Sequence, residues 1–190
     1  MRAQIRPAFL VLLIFTLLTG VLYPLAVTGF AQLFFPRQAN GSLITVNGQT
    51  AGSKLIGQQF DAPGYFWGRL SDTASFLYNA AASSGSNFAP SNPALLKAVQ
   101  ARITALQAAD PTNTLPIPVD LVTASGSGLD PDISIAAALY QVPRVAKARG
   151  LSEAAVTALV NQYTQGRQFG LLGEPRVNVL ELNLALDAAR

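Results

Sequence analysis

The chain has 190 residues, a formal charge of +3, and neither cysteine nor histidine. Without cysteine there is no disulfide framework, thiol catalysis or zinc-thiolate site, and without histidine the commonest general base and pH switch are missing. Half the residues are hydrophobic and 12% are charged, against about 25% charged in an average soluble protein, which excludes a disordered chain and points to membrane contact.

Residues 7–36 (PAFLVLLIFTLLTGVLYPLAVTGFAQLFFP) carry no charge. As a helix they reach about 45 Å, more than the roughly 30 Å of a hydrocarbon core. Pro7 suits the first helical turn, Pro24 a kink and Pro36 a stop. Tyr23, Phe30, Phe34 and Phe35 suit an interfacial belt. A cleavable signal is the rival reading, with Gly29-Phe30-Ala31 as its site, but the apolar run outlasts the roughly 7–15 residues of such a segment. An uncleaved anchor is expected. Arg2 and Arg6 precede it, so the positive-inside rule places the N-terminus in the cytoplasm and the rest outside, in the periplasm of a Gram-negative cell. Thr16, Gly20, Tyr23, Pro24 and Val27 recur at helical spacing and are the candidate face for a partner helix. From residue 38 onward ten basic and ten acidic residues balance. The excess charge therefore flanks the anchor and marks no nucleic-acid surface. The densest basic cluster, Arg144, Lys147 and Arg149, reads as a solvated helix face.

The expected division is an anchor over 1–36 and an extracytoplasmic α+β domain over 37–190. Ser42–Val46 and Gln49–Ile56 flank Asn47-Gly48, a hairpin signal because both turn residues take positive φ. Residues 63–91 read as a long ordered loop with a short strand near Tyr65–Trp67. Asn92 caps and Pro93 opens a helix with an apolar stripe from Leu95 and Leu96 through Val99 and Ile103 to Leu106, ended by Asp110-Pro111. Pro116–Thr123 reads as a strand. Ser134 caps a helix to about Arg149 that Pro143 kinks or splits and Gly150 stops. Ser152 caps the next, which runs to about Gly166, and residues 177–188 form a last helix or strand–helix element.

No constellation promises catalysis. The loop Ala124–Ser134 (ASGSGLDPDIS) has no phosphate-binding glycine motif, and Asp130 and Asp132 make it acidic, so it reads as a capping turn. The calcium-loop pattern is missing around those two carboxylates. Serines are plentiful but have no visible base. Arg69 suits pairing with a carboxylate near the loop. No catalytic residue and no metal ligand is assigned.

Several stretches together resemble the C subunit of the Kdp potassium-transporting P-type ATPase of bacteria and archaea. They are Tyr23-Pro24-Leu25, Gln38–Leu43, Leu55–Phe60, Tyr65–Arg69, Gly85–Asn87 with Ser91-Asn92-Pro93, Val119–Asp130, Gln141–Arg149 and Gly173–Leu186. The resemblance covers nearly the whole chain. It implies an inner-membrane complex with three partners: a channel-like potassium-conducting subunit, a P-type subunit that hydrolyses ATP, and a small single-helix subunit. This chain lacks the Asp-Lys-Thr-Gly phosphorylation motif, which fits an accessory subunit that is not an enzyme by itself. ATP and potassium then act in the complex, with no cofactor assigned to this chain. The family is described as a catalytic chaperone that raises the ATP affinity of the P-type subunit, and the resemblance makes Gln141 its nucleotide-linked residue. An external domain conflicts with contact between Gln141 and cytoplasmic ATP; it would instead brace the channel-like subunit or cap the potassium entrance. The alternative class is a membrane-tethered extracytoplasmic ligand-binding module, motivated by the aromatics Tyr65, Phe66, Trp67 and Tyr78.

Overall fold

The computed structural model describes residues 2–189, with side chains from Gln4 onward, so the side chain of Arg2 lies outside the described residues. The chain falls into two compact units, up to Ala51 and from Gly52.

In the first unit, helix α1 (Arg2–Leu17) passes through a π-helical turn (Leu18–Leu22) into α2 (Tyr23–Phe34). Pro7 therefore lies inside the helix rather than opening it. The π turn has a local cause. Pro24 has no N–H, and in an α-helix its ring would crowd the Gly20 carbonyl four residues back. The Tyr23 N–H instead bonds the Leu18 carbonyl, five residues back, and the wider turn makes room. Residues Gln4–Phe34 form one helical run of 31 residues, long and apolar enough to cross a membrane, with 0% of its most apolar window buried. Phe35 leaves helical geometry at φ −136° and ψ 50°, and Pro36 opens the single turn α3 (Pro36–Ala39) rather than only ending what precedes it. Beyond it β1 (Leu43–Val46) pairs with β2 (Gln49–Ser53). Asn47 and Gly48, at φ 50° and 79°, form the expected turn.

The second unit is mixed, as the α+β reading requires. Its three-stranded sheet is antiparallel in the order β3 (Asp132–Ser134), β5 (Arg176–Asn178), β4 (Thr164–Gln165), with Ile133 and Thr164 opposite Val177. Four helices accompany it: α4 (Pro93–Ala109), α5 (Ile135–Arg149), α6 (Glu153–Tyr163) and α7 (Val179–Ala188). Each begins on a polar cap, since the first N–H groups of a helix have no partner inside it. Asn92 accepts from Ala94, Ser134 from Ala137, Ser152 from Ala155, and Asn178 from Glu181. Gly150 ends α5 at φ 69°. Pro143 neither splits nor ends α5; the carbonyl its ring leaves unpaired is that of exposed Leu139, which water can satisfy. Helix α6 stops at Tyr163 because Thr164 and Gln165 are drawn into the sheet. The core gathers Ile133, Val145, Val156, Val160, Val177 and Leu182 with Phe66, each at most 2% exposed. A fully buried aliphatic side chain of this kind contributes about 1.5–3 kcal/mol.

Two expected strands are absent. Val119–Leu121 forms a 3-10 turn, because the Asp120 carboxylate is committed to the Ser134 N–H and hydroxyl at 2.8 and 3.1 Å. Tyr65–Trp67 pairs with side chains instead of with a neighbouring strand.

Candidate functional site

Between Gly57 and Pro93 the backbone has little regular structure, yet Phe66 is 0% and Trp67 7% exposed. Buried peptide groups need partners, and here they come from helical side chains. The Asn183 amide of α7 accepts from the Phe66 N–H at 2.8 Å and donates to the Phe66 carbonyl at 3.0 Å. The Gln141 amide of α5 does the same for Trp67, at 2.8 and 3.1 Å. Three arginines complete the grip. Arg144 donates to the Pro63 carbonyl, Arg149 to that of Gly64, and Arg102 of α4 to that of Gly68. Five side chains from three helices thus replace the strand that the sequence suggests.

Gln141 is saturated. Besides Trp67, its amide nitrogen donates to the Ala137 carbonyl at 3.2 Å and its oxygen accepts from Arg144 at 2.7 Å. An amide has two donors and two acceptor sites, and all four are used. At 1% exposure it has no donor or acceptor left for a nucleotide in this conformation.

Trp67 carries two guanidiniums over its ring, Arg144 at 4.4 Å and Arg102 at 5.0 Å from the centroid. Burial pulls Arg144 down to about 10 and lowers Arg102, while Asp110 works in the opposite direction on Arg144. Both remain cations near neutral pH. Arg149 lies 4.6 Å over the Tyr65 ring and pairs with Asp187 at 2.8 Å. The basic cluster read as a solvated face is therefore half wrong: Arg144 is 5% exposed and the Arg149 side chain 7%, while Lys147 faces water. The aromatics offer no stacking platform either, since Phe66 and Trp67 are core and the Tyr78 hydroxyl donates to the Arg69 carbonyl. That removes the observation behind a tethered ligand-binding module.

The Ala124–Ser134 loop is a hub of packing. Gly128 sits at φ 68°, where an added Cβ would stand 2.5 Å from the Ser84 carbonyl oxygen. Ser71 donates to the Gly128 carbonyl at 2.7 Å. Asp130 pairs with Arg69 at 2.8 Å, as expected for that arginine, and Asp132 with Arg176 at 2.8 Å. Burial raises Asp132 above the usual carboxylate range against the pull of Arg176. No group of three or more acidic side chains among the described residues is arranged to hold a metal ion. A cleft of about 340 Å³, lined by Leu70, Phe88, Leu95, Val99, Arg102 and Val122, is mostly apolar.

The five candidate anchor positions are all exposed. A π turn sets every later residue back by about one position, or about 100°. The row of Thr16 and Gly20 therefore continues through Pro24 and Thr28, while Tyr23 and Val27 turn aside. Asn183, Arg102 and Asn178 escaped the sequence reading. Asn183 and Asn178 carried a signal, as two amides inside the run Val177–Leu186, which is otherwise apolar but for Glu181; Arg102 carried none.

The family model described as "K+-transporting ATPase, c chain" matches residues 5–188. A protein of Herpetosiphon aurantiacus named Potassium-transporting ATPase KdpC subunit is 67% identical over 187 residues, 98% of this chain and 97% of its own. Proteins of the same name from Methylococcus capsulatus and Methylibium petroleiphilum are 66% identical over 97% of both chains and 63% identical over 100% of both.

Proposed function

Since the chain belongs to the family of the K+-transporting ATPase c chain, we propose that it is the accessory, non-catalytic subunit that anchors to the membrane and braces the complex from outside. The observation that carries this reading is the exposed helix Gln4–Phe34, uncharged from Pro7, at the head of a chain matched to that family through its whole length. On this reading residues 1–36 hold the chain in the inner membrane with Arg2 and Arg6 in the cytoplasm. Residues 37–190 lie outside. The partners are the channel-like potassium-conducting subunit, the P-type subunit and the small single-helix subunit. The anchor meets a partner helix along Thr16, Gly20 and Pro24, where small side chains allow close approach. Tyr23 and Val27 flank that contact.

An effect on ATP affinity then passes through the assembly rather than through a nucleotide held at Gln141, whose amide is fully engaged. The test is ATP hydrolysis by the detergent-purified complex with and without this chain, alongside the chain alone. The expected result is no hydrolysis and no ATP retention by the chain alone, and a higher KM for ATP in the complex that lacks it. Hydrolysis by the chain alone, or ATP binding lost in Gln141→Ala, contradicts the reading.

A further inference from the structure

The loop between β4 and β5 leaves the sheet at Gln165 and returns at Arg176, and every residue from Gly166 to Glu174 is exposed. At its tip stand Phe169, Leu171 and Leu172, exposed by 88, 75 and 56%. Three large apolar side chains within four residues, all turned to water, form a patch rather than the scattered apolar exposure normal for a protein surface.

The tip is held in one shape. Gln168 and Leu172 pair as an antiparallel bridge, with the Gln168 N–H on the Leu172 carbonyl at 2.8 Å and the return bond at 2.9 Å. The Gly170 N–H closes the turn on Arg167 at 3.0 Å. Phe169 adopts φ 56°, a region that an aromatic residue enters only under constraint. At the base, Arg167 grips both carboxylate oxygens of Glu174 at 2.8 and 2.7 Å. The turn sits directly on β5, the central strand of the sheet, whose Val177 is fully buried.

We propose that this tip is a docking knob whose occupant is an apolar recess on another subunit of the same complex. The proposal rests on the subunit reading above and adds the surface. Charge argues for protein over lipid. An interfacial lipid anchor combines apolar residues with spare cations for anionic headgroups. Here Arg167 is taken by Glu174 and Arg176 by Asp132, so the collar is neutral. A fixed turn also favours a shaped recess, because ordering has been done before binding.

The experiment uses the full-length tagged chain co-expressed with the other subunits and purified in mild detergent. F169S/L171S is expected to leave the complex at least about tenfold faster than wild type, as loss of a central apolar anchor does. Leu96→Ser on α4, 69% exposed, is expected to stay as long as wild type. Both changes lie at the surface, so Tm should hold. Independently of folding, Gln168→Cys labelled with a maleimide–benzophenone reagent, which bonds the thiol and then, under light, a C–H of whatever lies against it, should cross-link to a different subunit. Retention of F169S/L171S for as long as wild type overturns the proposal alone. A cross-link only between copies of this chain, or a loss seen in lipid nanodiscs but not in detergent, also overturns it. Wild-type chain recovered without the complex overturns the subunit reading and this proposal with it.

Discussion

The membrane helix and the folded domain solve the same problem in opposite ways. From Gln4 to Phe34 the apolar side chains point outward and none of the most apolar window is buried. The backbone satisfies itself, with one wide turn where Pro24 withholds a donor. From Gly52 onward the order is reversed. Polar side chains, Gln141, Asn183, Asn178 and Arg144, lie at most 5% exposed and direct their bonds at the backbone of residues far away in the chain. One region needs covering from without, by lipid or partner helices. The other covers its own core, with Gln141, Asn183, Arg144, Arg149 and Arg102 all bonded to the irregular stretch Pro63–Gly68. The difference is what supplies the partners: the helix backbone itself in the one, and side chains in the other, at Phe66 and Trp67.

That contrast breaks first at Gln141. Gln141→Leu keeps the volume but strands the Trp67 N–H and carbonyl and one Arg144 nitrogen in the core. The loss should be about 4–5 kcal/mol, read as a collapse of the thermal transition of the detergent-solubilised chain. An unchanged Tm would mean that the amide clamp is not what holds Tyr65–Trp67.

On the other side of the comparison, Leu17→Arg places a cation on the outward face of the helix near its middle. Insertion should become less favourable by about 3 kcal/mol, and the chain should shift into the alkali-extractable fraction. A chain that still resists extraction would argue that protein, not lipid, faces that position.

The smallest effect sharpens the comparison by pH. Burial pushes the Tyr78 phenol up to about 12. The folded domain then holds this proton more tightly than the unfolded chain. Its contribution is complete below about pH 10 and falls as pH rises toward 12, by about 2–3 kcal/mol. Tyr78→Phe should remove that part of the alkaline slope, measured by denaturant unfolding at pH 9–12. An identical slope in the variant would put the titration elsewhere.

What the sequence made legible were features decided within a few residues. Asn47-Gly48, the caps Asn92, Ser134 and Ser152, and the stop at Gly150 all stand where expected, because each is a local backbone need met by a local side chain. The long apolar helix Gln4–Phe34 was legible from its length and lack of charge. The site was not. Its partners are 74 residues apart for Trp67 and Gln141 and 117 for Phe66 and Asn183, and no local pattern encodes such a pair. Arg144 and Arg149 misled for a related reason. Their spacing in α5 is compatible with a wet face, and only the carbonyls of Pro63 and Gly64 turn them inward. Pro116–Thr123 looked like a strand until Asp120 was claimed by Ser134 and Val119–Leu121 closed into a 3-10 turn. The role of Pro24 was half legible: a disturbance of the helix could be read, but not that it takes the form of a π turn.

The most direct test of the account is the side of the membrane on which the domain lies. The chain has no cysteine, so single cysteines report cleanly. Ala89→Cys, at an exposed position of the domain, and Gln4→Cys, at the head of the membrane helix, would be labelled with a membrane-impermeant maleimide in spheroplasts and again after lysis. The account predicts that the Ala89→Cys thiol reacts in intact spheroplasts and that the Gln4→Cys thiol reacts only after lysis. The reverse pattern would put the domain beside cytoplasmic ATP and contradict the external brace.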